Sequence, residues 1–182
     1  ELSLIADKLE INVWELIKFA NKHPRVNILS PGPGVGGHCL AVDPWFIVDA
    51  VPEEAKLIHL ARDINDSKPK RIVEKVKNLA EKFKHPVIGC LGITYKPDID
   101  DLRESPAREI VEELMGANIG EVLTVEPNVK PEKVKKIKLC SLDEVIKKAD
   151  IIVALVNHQQ FFDIDHEILK EKVLVDTCGI WK

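Results

Sequence analysis

A cysteine directly behind paired glycines is the residue of this chain best placed for covalent chemistry. Residues 30–46 read S-P-G-P-G-V-G-G-H-C-L-A-V-D-P-W-F, with glycines at 32, 34, 36 and 37, then His38, Cys39 and, four residues on, Asp43. Glycine tolerates positive φ and lets a ligand approach the backbone closely. Gly36 and Gly37 would therefore hold the Cys39 thiol at an open, tightly turned backbone. The thiolate is the reactive form, and its surroundings set its pKa. A carboxylate such as Asp43 can orient or deprotonate a water nearby. Against this stands the commoner use of a lone cysteine as a small buried hydrophobe. Two other chemistries fail on spacing. Gly32, Gly34 and Gly37 match G-x-G-x-x-G, but that fingerprint needs a strand before it and a helix after it. Pro31, Pro33 and Pro44 interrupt both. His38 and Cys39 are adjacent, and no second Cys or His stands at zinc spacing, so no metal is expected.

A second constellation runs Gly89-x-x-Gly92-x-x-Tyr95-Lys96-Pro97-Asp98-x-Asp100-Asp101-x-Arg103-Glu104-Ser105-Pro106. It falls between a predicted strand and a predicted helix, where open parallel sheets bind ligands and helix N-termini favour phosphate. Lys96 and Arg103 supply charge and Tyr95 a flat face. A nucleotide site and a solvated charged loop fit this chemistry equally well. Asp98, Asp100 and Asp101 read as loop-shaping residues. His23 and Arg25 flank Pro24. The planar arginine fork suits phosphate and sugar oxygens, although isolated polar residues of this kind are usually plain surface.

The elements that must position these groups fall into two kinds. Residues 1–9 carry Leu2, Ile5, Ala6 and Leu9 at helical spacing. Asn12 is placed to cap a second helix that Pro24 ends. Residues 52–83 read as helix, with Pro69 expected to break or kink it or to start a second one. After His85-Pro86 strands and helices alternate, which predicts a parallel α/β domain. Strands are expected at 87–93, 121–126, 151–156 and 173–176. Helices are expected from Ser105 with Pro106 in its first turn, at 142–148 and at 165–171. The predicted domains are 1–84, helical and carrying the Cys39 loop, and 85–182, Rossmann-like.

Bulk properties narrow the function classes. The 182 residues are 45% hydrophobic and 31% charged with net charge −4, an ordinary globular balance with no nucleic-acid footprint. No apolar run reaches membrane-spanning length. Cysteines at 39, 90, 140 and 178 show no pairing pattern, which favours a reduced, cytoplasmic setting. The chain starts at Glu1, inside a helical pattern and without Met, as a piece of a longer protein would.

Residues 23–28 (H-P-R-V-N-I), 31–46 and 95–107 together resemble the UDP-glucose/GDP-mannose dehydrogenase family, most of all its UDP-N-acetyl-D-mannosamine-oxidising branch. The resemblance covers the family's central helical and C-terminal UDP-binding domains and implies that the N-terminal NAD-binding domain lies outside this chain. It implies an NAD-dependent oxidation of UDP-N-acetyl-D-mannosamine at C6 in two hydride transfers. Cys39 would carry the thiohemiacetal and then the thioester, assisted by Asp43. His23, Arg25, Gly36, Tyr95 and Lys96 would contact the sugar nucleotide, His23 and Arg25 commonly in the partner subunit's site. Arg103 would reach NAD. A long central helix would pack a homodimer. At 176–181 (D-T-C-G-I-W) the family often has a basic residue where Cys178 stands, so a substrate contact there is not carried over. The alternatives are another UDP-sugar 6-dehydrogenase, a non-catalytic UDP-sugar-binding module, and a thiol hydrolase pairing Cys39 with His38 or His23. The isolated chain is expected to be inactive.

Overall fold

A computed structural model describes residues 1–181. Helix α1 (Leu2–Lys8) and helix α2 (Val13–Ala20) open the chain. The Asn12 side chain caps α2, accepting from the amides of Trp14 at 2.9 Å and Glu15 at 3.2 Å. An extended stretch then carries the glycine-rich segment into α3 (Asp43–Ala50), with Pro44 in the first turn, where no amide donor is required. Sequence periodicity does not announce α3. Its apolar residues are spread around the helix and only Val48 is buried.

Helix α4 (Lys56–Ala80) runs unbroken through Pro69, so the expected break does not occur. An interior proline costs about 3 kcal/mol. Burying Ile72, Val73 and Val76 returns roughly 1.5–3 kcal/mol for each side chain, so packing outweighs the missing donor. These residues share one core with β1 and α5. The long helix thus joins the glycine-rich segment at one end to the sheet at the other.

The strands β1 (Val87–Leu91), β2 (Glu121–Val125), β3 (Ile151–Ala154) and β4 (Val173–Asp176) form a parallel sheet in the order β2-β1-β3-β4. Cys90 sits between Thr124 and Val153 in the register. Helices α4 and α5 (Pro106–Gly116) cover one face. On the other face lie α6 (Leu142–Lys148), α7 (His166–Leu169) and Phe161. The central strands β1 and β3 are buried between helices, which explains their nearly continuous apolar runs, whereas the edge strand β4 leaves Leu174 exposed. Cys90 is in this core, and burial pushes its thiol up to about 12. The architecture is the expected one, a helical region followed by a Rossmann-like parallel sheet. From β1 the chain goes outward to β2 and returns to β3 on the other side. That reversal opens a crevice at the carboxyl ends of β1 and β3, the usual ligand position in such sheets.

Candidate functional site

The glycine-rich segment lies against the loop that follows β1. The Gly37 amide donates to the Arg103 carbonyl at 3.1 Å. A β-carbon on Gly36 would stand 2.1 Å from the Glu104 carbonyl oxygen, and one on Gly37 would stand 2.9 Å from the Tyr95 ring. Only glycine allows this approach, and Gly37 also has φ +93°. Glu104 itself holds φ 45°, uncommon for a long side chain. Ser105 fixes the turn by donating its hydroxyl to the Ile93 carbonyl at 2.8 Å while capping α5 at the Arg108 amide.

Two residues beyond Gly37, Cys39 is exposed. Its carbonyl accepts from the amides of Val42 at 2.9 Å and Asp43 at 2.8 Å. Cys39 and Asp43 are thus one helical turn apart, the spacing that makes side chains neighbours. Helix α4 supports the segment from behind. Asn65 accepts from the Val35 amide at 2.7 Å and donates to the Val35 carbonyl at 3.4 Å. The buried Arg62 donates to the Leu40 carbonyl at 3.3 Å and pairs with Asp66 at 2.7 Å. Arg62 and Asn65, with Asp66 beside them, escape a sequence reading because nothing local links them to a loop 22 to 30 positions away.

Tyr95 faces Gly37, and the Lys96 ammonium lies 5.6 Å from the Tyr95 ring centroid. Beside them a cavity of about 230 Å³ opens at the carboxyl ends of β1 and β3, bordered by Pro31, Gly34, Tyr95, Lys96, Asn157 and Cys178. Pro106 and Ala107, at the N-terminal end of α5, complete its wall, where the helix dipole favours an anion. Cys178, flagged in sequence only as a departure from a pattern, stands on this wall.

Arg103 is exposed and grips Asp101. Its Nε donates at 3.0 Å to both carboxylate oxygens and its Nη2 at 2.6 Å to one. Hydrogen bonds from the Arg103 side chain and amide hold the Asp101 carboxyl down to about 2, against an ordinary 3.8. Because the folded value is depressed, the stabilisation is present above the unfolded value and is lost as pH falls through the folded one. Thermal melts taken from about pH 4 down to about pH 2 should therefore fall less steeply for Asp101→Asn than for the parent chain. Equal slopes would show that the pair does not report on folding.

The structure brings Gly36, Cys39, Asp43, Tyr95, Lys96 and Arg103 to one region. It does not bring His23 and Arg25 there. Both are exposed on the turn after α2, where the Arg25 amide donates to His23 Nδ1 at 3.2 Å and the Val26 amide to the His23 carbonyl at 3.0 Å. Nor does the glycine-rich segment form a dinucleotide loop, since no strand precedes it.

Known proteins and family models resemble this chain along its length. The central-domain model of the UDP-glucose/GDP-mannose dehydrogenase family matches residues 1–67, and the UDP-binding-domain model matches residues 89–182. An NDP-N-acetyl-D-galactosaminuronic acid dehydrogenase of Ralstonia nicotianae is 54% identical over 183 residues, covering 100% of this chain and 43% of that protein. The UDP-N-acetyl-D-mannosamine dehydrogenase of Escherichia coli is 48% identical over 193 residues, covering 100% and 46%. Among solved structures, the UDP-N-acetyl-mannosamine dehydrogenase of Staphylococcus aureus superposes with a TM-score of 0.86 at 41% identity, covering 100% of this chain and 43% of that one. The chain thus spans less than half the length of these relatives.

Proposed function

This chain belongs to the UDP-glucose/GDP-mannose dehydrogenase family, and from that premise we propose that it is the central and UDP-binding portion of an NAD-dependent UDP-N-acetyl-D-mannosamine 6-dehydrogenase. The domains divide near residue 84. The observation that carries the reading is the meeting of the Cys39 segment with the Tyr95–Lys96 loop beside the β1/β3 crevice. The diphosphate lies by Lys96 and the α5 N-terminus, and the sugar extends over Gly36 toward Cys39. NAD, held mainly by the portion of the protein outside this chain, would supply the hydride acceptor, and Arg103 would contact it.

The Cys39 sulfur adds to the C6 aldehyde carbon, and its proton passes to the carbonyl oxygen to give a thiohemiacetal. Oxidation of that species leaves a thioester. Water attacks the acyl carbon, and the C–S bond breaks to return the thiol and release the carboxylate. Covalent capture divides a hard oxidation into easier steps. Asp43, one turn on, orients or deprotonates the attacking water.

A homodimer through the central helices completes the assembly, with His23 and Arg25 serving the partner's site. Supporting this are the exposure of both residues on the turn after α2 and the exposed Phe46, Ile47, Leu57 and Leu60 on α3 and α4. The wide spacing of the cysteines at 39, 90, 140 and 178 favours a cytoplasmic setting. No helix among the described residues is long and apolar enough to cross a membrane.

Calorimetric titration with UDP and UDP-N-acetylmannosamine tests the nucleotide site. Lys96→Ala should weaken both about tenfold or more, the worth of a charge-assisted hydrogen bond. Unchanged affinity in the variant would remove Lys96 from the site. The 54% identity to a galactosaminuronic acid dehydrogenase favours a second reading, UDP-N-acetylgalactosamine as the sugar. Titrating that ligand alongside separates the two.

A further inference from the structure

Behind the Tyr95–Lys96 loop lies a buried polar centre that the proposed chemistry does not use. His158 and the Glu126 side chain are both fully buried, at the carboxyl ends of β3 and β2, with Nε2 to Oε2 3.2 Å. His158 Nδ1 receives the Asp98 amide at 2.9 Å and faces the Asn128 side-chain nitrogen at 3.0 Å. Donors on that side make Nδ1 the acceptor, so the ring proton is on Nε2, pointing at Glu126 and at the Thr94 hydroxyl 3.3 Å away. Burial alone would raise the Glu126 carboxyl. The bonds from His158 and from the amides of Ile93 and Asn128 outweigh it and keep the group below its ordinary value. Glu126 is thus an ionised, fully engaged anchor, as a buried carboxylate must be.

Apart from Asn128, the side-chain hydrogen bonds of this centre are to the loop after β1. Ile93 donates to Glu126 at 2.8 Å. The Thr94 hydroxyl donates to the Lys96 carbonyl at 2.8 Å. Asp98, held at φ 59°, donates its amide to His158 and accepts from the Gln159 amide at 3.0 Å. Residues 94–98 are therefore fixed at both ends by one imidazole and its carboxylate. Tyr95, Lys96 and Pro97 lie between these ties and border the crevice, and of the three Tyr95 and Lys96 carry the polar side chains.

We propose that His158, seated on Glu126, is the positioning residue that sets residues 94–98 so that Tyr95 and Lys96 meet the nucleotide. This deepens the UDP-binding reading and rests on it for the ligand. The two ring nitrogens have separable jobs. Nδ1 orders the loop through Asp98, and Nε2 anchors the ring to Glu126.

Two substitutions in the full chain separate them. In His158→Asn the side-chain oxygen replaces Nδ1 and the bond to Glu126 is lost. In His158→Gln the side-chain amide replaces Nε2 and the Asp98 amide loses its acceptor. UDP affinity by calorimetry should fall about tenfold in His158→Gln and stay within about threefold in His158→Asn, one hydrogen bond being worth roughly that difference. Hydrogen exchange read without ligand should show the Asp98 amide losing protection in His158→Gln alone. A merely structural role would lower the melting temperature of both and leave affinity and Asp98 exchange equal between them, which would overturn the proposal. If the parent chain fails to bind UDP, the nucleotide reading falls, while the exchange measurement still decides whether His158 sets the loop. Should either variant fail to fold, Thr94→Val removes the hydroxyl between His158 and Lys96 without changing shape. Unchanged UDP affinity and unchanged exchange of residues 94–98 in that variant would equally overturn the proposal.

Discussion

Replacing Cys39 with serine in a full-length protein that carries this chain is expected to abolish formation of the sugar acid, by about a thousandfold or more. A hydroxyl has the shape of the thiol but almost none of its anion at neutral pH, and the thiolate is the stronger nucleophile by far. Without capture of the C6 aldehyde, no thioester forms for water to hydrolyse. Mass-spectrometric counting of alcohol, aldehyde and acid products checks this, and normal acid yield from the variant would remove Cys39 from the chemistry. A companion measurement uses the chain alone. Cys39 is exposed, whereas the buried Cys90 thiol is pushed up to about 12. Iodoacetamide should therefore label Cys39 well before Cys90, and labelling of Cys90 first would contradict the fold.

The second large effect is expected at Gly36. A methyl group there would lie 2.1 Å from the Glu104 carbonyl oxygen and 2.9 Å from Pro106 Cδ. Neither neighbour is the free end of a flexible side chain, so the glycine-rich segment must lift from the turn. The bond from Gly37 to the Arg103 carbonyl would go with it. Gly36→Ala should cost about 3 kcal/mol, the upper part of the usual overpacking range. In a chain of this length that lowers the melting temperature by about 10 °C. Gly32→Ala is the control, because its β-carbon would meet nothing within 4 Å, and it should melt with the parent. In the full-length protein Gly36→Ala should also lose turnover, since the Cys39 segment and the Tyr95 loop would no longer share one wall. A Gly36→Ala melt equal to that of the control would show that the two segments are not held in register here.

Local pattern was enough for most of the elements. Asn12, Ser105 with Pro106, and the apolar runs at 87, 121, 151 and 173 announce their helices and strands, because caps and buried strands are written in a few consecutive residues. The same holds for the glycine-rich cysteine segment and the Tyr95–Lys96 loop, whose unusual residue types stand out as separate motifs. What a linear reading could not decide was whether these motifs meet. Their contact depends on the strand order β2-β1-β3-β4 and on α4 continuing through Pro69, and both are settled by burial summed over distant residues. The supporting polar groups were invisible for the same reason. Arg62 and Asn65 look like solvent-facing helix residues, and Glu126 and His158 like ordinary strand-end residues. Each finds its partner only in three dimensions. Position after a strand is the one clue the sequence held for Glu126 and His158. The sequence alone therefore determined which side chains could do chemistry and which elements carry them. The tertiary structure decided which of them share a site, since a buried polar group needs a partner and the fold, rather than chain proximity, supplies it.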